Sequence, residues 1–281
     1  MSRGTRAQQG QETVLIAERG WYETSGGKRV DISAAMQSCL ARTTLHRPAE
    51  LEQLVAQLGP TTEPVETIFD VRNETSLGAA QRLVVEQQLS STLCLNFASA
   101  RNPGGGFLGG SQAQEESLAR SSGLYPSLLT QSDYYNANRN QRSAIYTDHM
   151  IVSPDVPVFR DDDGQLLVEP YSLSMITAPA VNAGAMRNNE PHATEQILPK
   201  MVERTNKVLA LAAHLGYQNL ILGAWGCGVF QNDPKSIANI FHAALCHDAR
   251  FRQRFQHVTF AVLDGTRDQA IVEPFSRVFR R

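Results

Sequence analysis

At 281 residues, the chain is long enough to bury one large core or two small ones, and its 42% hydrophobic content is that of an ordinary soluble globular protein. A formal net charge of −2 excludes the basic footprint that duplex binding leaves, so a polyanionic ligand would have to be held by backbone amides and local dipoles. Cys39, Cys94, Cys227 and Cys246 form no CxxC pair, which favours reduced, buried thiols in a reducing, cytoplasmic compartment.

Residues 1–11 are rich in Gln, Gly and Arg and read as disordered; no apolar run follows Met1, so no secretory leader is expected. Residues 12–18 are helix-compatible, and residues 21–30 suggest a hairpin around Ser25-Gly26-Gly27. Asp31 can cap a helix bearing Ile32, Ala35, Met36, Cys39 and Leu40. A second stripe, Leu51, Leu54, Val55 and Leu58, opens at Pro48 and stops at Gly59-Pro60. Residues 1–64 thus read as an accessory region of helices and a hairpin, packed on a main domain and without chemistry of its own.

From residue 65 the pattern becomes alternating strands and helices. Val65, Thr67, Phe69 and Val71 alternate as a strand, and Ser76 can cap a helix with Leu77, Ala80, Leu83 and Val84. Leu93, Leu95 and Phe97 mark a second strand. Residues 134–142 are polar and loop-like, while 150–168 suggest strand pieces joined by a turn at Asp161-Asp162-Asp163-Gly164. A strand over 171–178, a polar loop at 188–191, a long helix with Ile197, Met201, Val208, Leu211 and Leu215, and a short buried strand at 220–222 follow. Asp233-Pro234 starts another helix, and Val258, Phe260 and Val262 alternate in a last strand. The most apolar window, 208–230, is broken by Gly216-Tyr217-Gln218-Asn219 and does not read as a membrane span. Residues 65–281 therefore read as one α/β domain, a three-layer sandwich with helices on both faces of a mixed sheet.

Four stretches carry candidate chemistry. Gly104-Gly105-Gly106 costs chain entropy, so either the backbone takes positive φ there or something approaches closer than a Cβ allows. At a strand-to-helix junction, exposed amides make an anion site, preferred here over a tight structural turn because carboxylates adjoin it. Those carboxylates are in Gln114-Glu115-Glu116. Ser111 with Gln114 reads as a capping box, which starts a helix near Ser111 and puts all three residues in its first turn. Adjacent helical residues point about 100° apart, so Glu115 and Glu116 cannot do the same job. Glycosidic hydrolysis needs a proton for the leaving oxygen and help for an oxocarbenium-like centre. The bland alternative is two carboxylates answering a helix dipole.

The third stretch, Gly226-Cys227-Gly228-Val229-Phe230-Gln231-Asn232, follows a buried strand, and its glycines let amides approach a phosphate. Nothing beside Cys227 would activate a thiolate. In the fourth, Asn73-Glu74-Thr75, the polar residues after the first core strand can contact a ligand or simply cap the next helix, and both readings stand. The strand end at Val262-Leu263-Asp264 is a second candidate for such a contact. There is no HExxH, and His242 with Cys246 supplies only two ligands of a helical face, so no metal is expected. The glycine loops lack a Walker Lys and the dinucleotide spacing, so no cofactor is expected.

The order GGG, seven residues, QEE resembles the signature of poly(ADP-ribose) glycohydrolases, and the stretch NFASARNPGGGFLGGSQAQEESLARSS resembles the microbial-type members in particular. Residues 71–77 (VRNETSL) and 223–232 (GAWGCGVFQN) are similar to the same family. The resemblance implies a macrodomain-like fold and hydrolysis of the ribose–ribose bond in poly(ADP-ribose). It places Gly104, Gly105 and Gly106 around the distal ribose and phosphate, with Asn102 beside that ribose. Glu116 would be the catalytic acid, Glu115 would orient sugar hydroxyls, and Gln114 would position the loop. Gly226, Cys227, Gly228 and Val229 would cover the diphosphate, Phe230 would pack on a ribose, and Asn73 and Glu74 would face the adenine. The helix N-terminus works against a general acid, so Glu116 is expected to become one mainly with substrate bound. Implied partners are poly(ADP-ribose) or ADP-ribosylated proteins, with ADP-ribose as product, no metal, no membrane and a monomeric chain. Removal of mono-ADP-ribose from protein, nucleic-acid or small-molecule acceptors is the nearest alternative; a non-catalytic ADP-ribose reader has no need of the intact Gln114-Glu115-Glu116.

Overall fold

A computed structural model describes residues 1–280. Along the chain run α1 (Arg3–Arg19), β1 (Trp21–Glu23), β2 (Arg29–Asp31), α2 (Ser33–Arg42), β3 (Thr44–His46) and α3 (Pro48–Gln57). Then come β4 (Ile68–Arg72), α4 (Ser76–Ala80), β5 (Thr92–Phe97), α5 (Gln114–Ser121), α6 (Leu124–Leu129) and α7 (Ser132–Asn140). The remainder is β6 (Met150–Arg160), β7 (Leu166–Ala178), α8 (Ala183–Asn189), α9 (Ile197–His214), β8 (Asn219–Leu222), α10 (Pro234–His242), β9 (His257–Ala261) and α11 (Val272–Phe279).

Seven strands form one sheet in the order β3-β6-β7-β5-β8-β9-β4. The pairs from β7 through β4 are parallel, while β3–β6 and β6–β7 are antiparallel. The strand period sorts side chains into two cores. Leu93, Leu95, Leu220, Leu222, Val258 and Phe260 face α3, α9, α10 and α11. Their neighbours Cys94, Met175 and Ile221, in register across three strands, face α4, α5, α6 and α7. Both faces are therefore covered, as parallel strands require, and the arrangement is the three-layer, macrodomain-like α/β sandwich expected. The parallel strands β5 and β8 sit side by side at the centre, so the loops leaving their C-terminal ends open on one side of the sheet.

Several expectations are overturned. Residues 1–11 are not disordered but begin α1, capped by the Ser2 side chain, which accepts from Thr5 N. The reason is docking: Gly10, Thr13 and Ile16 line its buried face, and a Cβ at Gly10 would lie 2.9 Å from the Phe107 carbonyl. The glycine that suggested disorder is where the helix touches the loop before α5. Residues 134–142 are not a loop either; α7 buries Tyr134, Tyr135 and Asn138 in the second core, a tertiary gain that outweighs its polar composition. Finally, α5 begins at Gln114 after an extended Ala113, with no side-chain cap; Ser111 N instead donates to Gly106 O. The hairpin expected at 21–30 is present as β1–β2. From the N-terminal 64 residues, β3 pairs with β6 and so forms one edge of the main sheet.

Candidate active site

The site begins where β5 ends. Gln114 clamps α5 to that end: its Oε1 accepts from Phe97 N at 2.9 Å, and its Nε2 donates to Leu95 O at 2.8 Å and to Ser76 Oγ at 3.1 Å. With Gln114 fixed, the helical rotation sends the next two side chains different ways. Glu115 turns inward and is 3% exposed. Its Oε2 accepts from Ser99 N at 2.6 Å and its Oε1 from Asn96 Nδ2 at 3.2 Å. Burial pushes its carboxyl up to about 8, against the hydrogen bonds from Ser99 and Asn96; the charge of Glu116 adds to the push. Glu116 is half-buried and turns toward the glycine loop, where its Oε1 accepts from Gly106 N at 3.0 Å.

That loop explains its own composition. Gly105 has φ +59°, and a Cβ there would collide with the Glu116 carboxylate, lying 2.9 Å from its Cδ and 3.4 Å from Glu115 Oε2. Gly104 has φ +67° and lies against Phe107 and Ala119. Both reasons anticipated for the triple glycine, positive φ and close approach, operate together.

The second loop leaves β8. Trp225 anchors it from below, its Nε1 donating to Ala178 O at 3.2 Å. Gly226 has φ +75°, and a Cβ there would meet Ala180 Cβ at 2.5 Å. Asn232 closes the loop by donating from Nδ2 to Val181 O at 2.8 Å and from its backbone N to Gly226 O at 3.0 Å. The amides of Gly228, Val229 and Phe230 find no acceptor among the described residues. Such a run of open donors is what an anion takes up. Burial pushes the Cys227 thiol up to about 12, which leaves it no role as a thiolate.

Both loops and both glutamates line one cavity of about 820 Å³, together with Asn102, Gln114 and Phe230. That is within the range of small-molecule sites. Glu74 and Thr75 also line it, as do Val262 and Leu263. Asn73 stands outside the lining: its Nδ2 donates to Asp264 O and its Oδ1 accepts from Asp264 N, both at 2.8 Å. Glu74 is paired with Arg82 at 2.5 Å, and Thr75 rather than Ser76 caps α4. Sequence reading missed Asn96 and Ser99, which hold Glu115, and missed Arg6, Gln9, Arg120 and Arg160, which also line the cavity. Arg120 carried a local signal, lying four residues after Glu116 on the same helix face; Arg6 and Arg160 carried none, because only the docking of α1 brings them in.

In chemical terms the cleft offers amide donors for an anion, one carboxyl at the surface and one buried carboxyl beside it. Among the described residues no group of three or more His, Cys, Asp or Glu side chains is placed to hold a metal ion, and no helix is long and apolar enough to cross a membrane. No curated protein matches the chain. Among solved structures, poly(ADP-ribose) glycohydrolase from Thermomonospora curvata bound to the inhibitor ADP-HPD is 43% identical; the match covers 98% of this chain and 100% of that one, with a TM-score of 0.91. Poly(ADP-ribose) glycohydrolase from Deinococcus radiodurans in complex with ADP-ribose is 45% identical; that match covers 89% of this chain and 99% of the other, with a TM-score of 0.83. The sequence model of the microbial-type PARG catalytic domain matches residues 10–161, over half of the chain. With sequence, fold and whole-length coverage in agreement, the chain belongs to the microbial-type poly(ADP-ribose) glycohydrolase family.

Proposed function

We propose that this enzyme hydrolyses the ribose–ribose O-glycosidic bond of poly(ADP-ribose) and releases ADP-ribose, with Glu116 as the general acid. The observation that carries this reading is the seating of Glu116 in the cleft, with Oε1 tied to Gly106 N and Oε2 engaged by no group among the described residues. The open amides of 228–230 grip the diphosphate, Asn102 and the 104–106 loop hold the distal ribose, and Phe230 packs on a ribose face. As the C–O bond breaks, its electron pair goes to the leaving oxygen, which takes the Glu116 proton. The carboxylate then faces the oxocarbenium-like carbon and accepts a proton from the water that captures it.

Burial pushes the Glu115 carboxyl up to about 8, which favours its neutral form. An anionic substrate thus meets less negative charge at Glu115, whose protonated carboxyl orients sugar hydroxyls. Glu74 faces the adenine beside Leu263, and Asn73 acts through Asp264, which it staples in place. In this reading residues 65–281 carry the catalysis and residues 1–64 are an accessory that closes one end of the cleft. The enzyme works as a monomer in a reducing, cytoplasmic setting, on polymer or ADP-ribosylated proteins, with no metal or cofactor.

The test is incubation with poly(ADP-ribose), wild type against Glu116→Ala, with products sized on a gel. Wild type should release ADP-ribose and the variant should leave the polymer intact. Binding of ADP-ribose with no release by wild type would make the chain a reader; release from mono-ADP-ribosylated protein alone would make it a hydrolase of other acceptors.

A further inference from the structure

The cavity does not end at Glu116. It continues past α5 toward α1, where Arg6, Arg120 and Arg160 line it. Arg6 Nε donates to Gly110 O at 2.9 Å, and Arg120 Nη1 donates to the next carbonyl, Ser111 O, at 2.8 Å. Arg160 Nη1 donates to Gly164 O at 2.8 Å, and Gln9 Nε2 reaches the same carbonyl. Arg120 is 5% exposed and Arg160 is 3% exposed. Buried arginines are ordinarily paired with carboxylates. Here only Arg160 has such a partner, Glu12 at 2.8 Å; Arg120 and Arg6 meet neutral acceptors alone, and the buried Nε of Arg160 has no partner. Arg6 and Arg160 lie close enough to oppose the charge on Arg120, and Glu116 lies close enough to favour it. Two acidic side chains on the wall just before Gly164 are engaged elsewhere: Asp162 accepts from Thr75 Oγ1 at 2.5 Å and Asp161 Oδ1 from Gln165 N at 2.7 Å. This part of the cleft therefore holds two arginines with no carboxylate in hydrogen-bond contact and one unused buried donor, with Glu116 near Arg120.

We propose that this extension is the leaving-group subsite, and that Arg6, Arg120 and Arg160 hold the diphosphate of the ADP-ribose unit that departs when Glu116 gives up its proton. The proposal rests on the polymer-cleaving reading above. Guanidinium forks suit phosphate oxygens, and charge-assisted bonds in a partly closed site are screened weakly by salt. Such contacts lie away from the reacting carbon and would fix the departing chain in register for proton transfer.

The test compares two substrates: poly(ADP-ribose), and an aryl glycoside of ADP-ribose whose leaving group carries no phosphate. Arg6→Gln is the main variant because Arg6 is the least buried of the three, and Arg6→Lys restores the charge. The ratio of kcat/KM on polymer to kcat/KM on the glycoside should fall about tenfold in Arg6→Gln and recover partly in Arg6→Lys. Inorganic diphosphate should inhibit polymer cleavage by wild type more than by Arg6→Gln. A ratio unchanged in Arg6→Gln, with a thermal midpoint like wild type, would overturn the subsite. If Arg6→Gln unfolds, Gln9→Glu, which sets a negative charge against the same arginines, must lower the ratio or the subsite is refuted. Absence of wild-type cleavage of either substrate would instead sink the polymer-cleaving reading itself.

Discussion

The chain buries ionisable groups in two places and treats them in opposite ways. Under α9, Asp148 is enclosed by Arg204, Lys207 and Lys200 at 2.8, 2.7 and 3.3 Å. Burial opposes its ionisation, but the Arg204 and Lys207 cations overcome it and hold the carboxyl well below the ordinary carboxylate range. At the end of β5, Glu115 is just as enclosed, yet its donors are uncharged amides and its nearest charge is another carboxylate. Its pKa moves up rather than down. A matched buried charge ties elements together, here α9 to the segment before β6. A mismatched one is pushed toward keeping its proton, a condition that acid–base chemistry can use.

Breaking the mismatched pair at its half-buried member should have the largest effect. Glu116→Gln removes the proposed donor, and single-turnover assays should show kcat lower by roughly 10²- to 10⁴-fold, with ADP-ribose still bound. In the matched cluster, Asp148→Asn leaves the buried Arg204 without a carboxylate, while Lys207 keeps Glu203, and denaturant melts should show a loss of about 3–5 kcal/mol. Turnover per folded molecule should hardly change; a large activity loss there would erase the distinction between the two clusters. Gly105→Ala puts a methyl against the Glu116 carboxylate at positive φ. It should shift that carboxylate and lower kcat on the order of tenfold, since small misplacements near reacting atoms are expensive.

The smallest effect sharpens the contrast through pH. The Glu115 carboxyl is raised in the fold, so the stability it contributes is complete below its ordinary value of 4.5 and is lost as pH rises through about 8. Asp148 runs the other way: its contribution is present above 3.8 and is lost as pH falls toward its depressed value. Melting curves of Glu115→Gln between pH 5 and pH 8 should therefore be flatter than those of wild type. An identical slope would mean that Glu115 is already ionised in the fold.

Local chemistry carried much of this protein. The alternation of Leu93, Leu95 and Phe97, the long stripe of α9 and the turn after Arg160 all declared themselves, because burial on a strand or helix face imposes a period that neighbours along the chain display. The triple glycine, the adjoining glutamates and the second glycine loop were legible too, since close backbone approach leaves few residue choices. What the chain could not announce was which glutamate faces inward, that polar residues 132–140 form a helix, or that the Gly- and Arg-rich start is a helix lining the cleft. Each of these depends on surfaces supplied from far along the chain: Ser99 and Asn96 for Glu115, the second core for Tyr134, and the Phe107–Gly110 segment for α1. Periodicity is a local record of burial, whereas the depth of a particular carboxyl and the partner of a particular arginine exist only once distant segments have met.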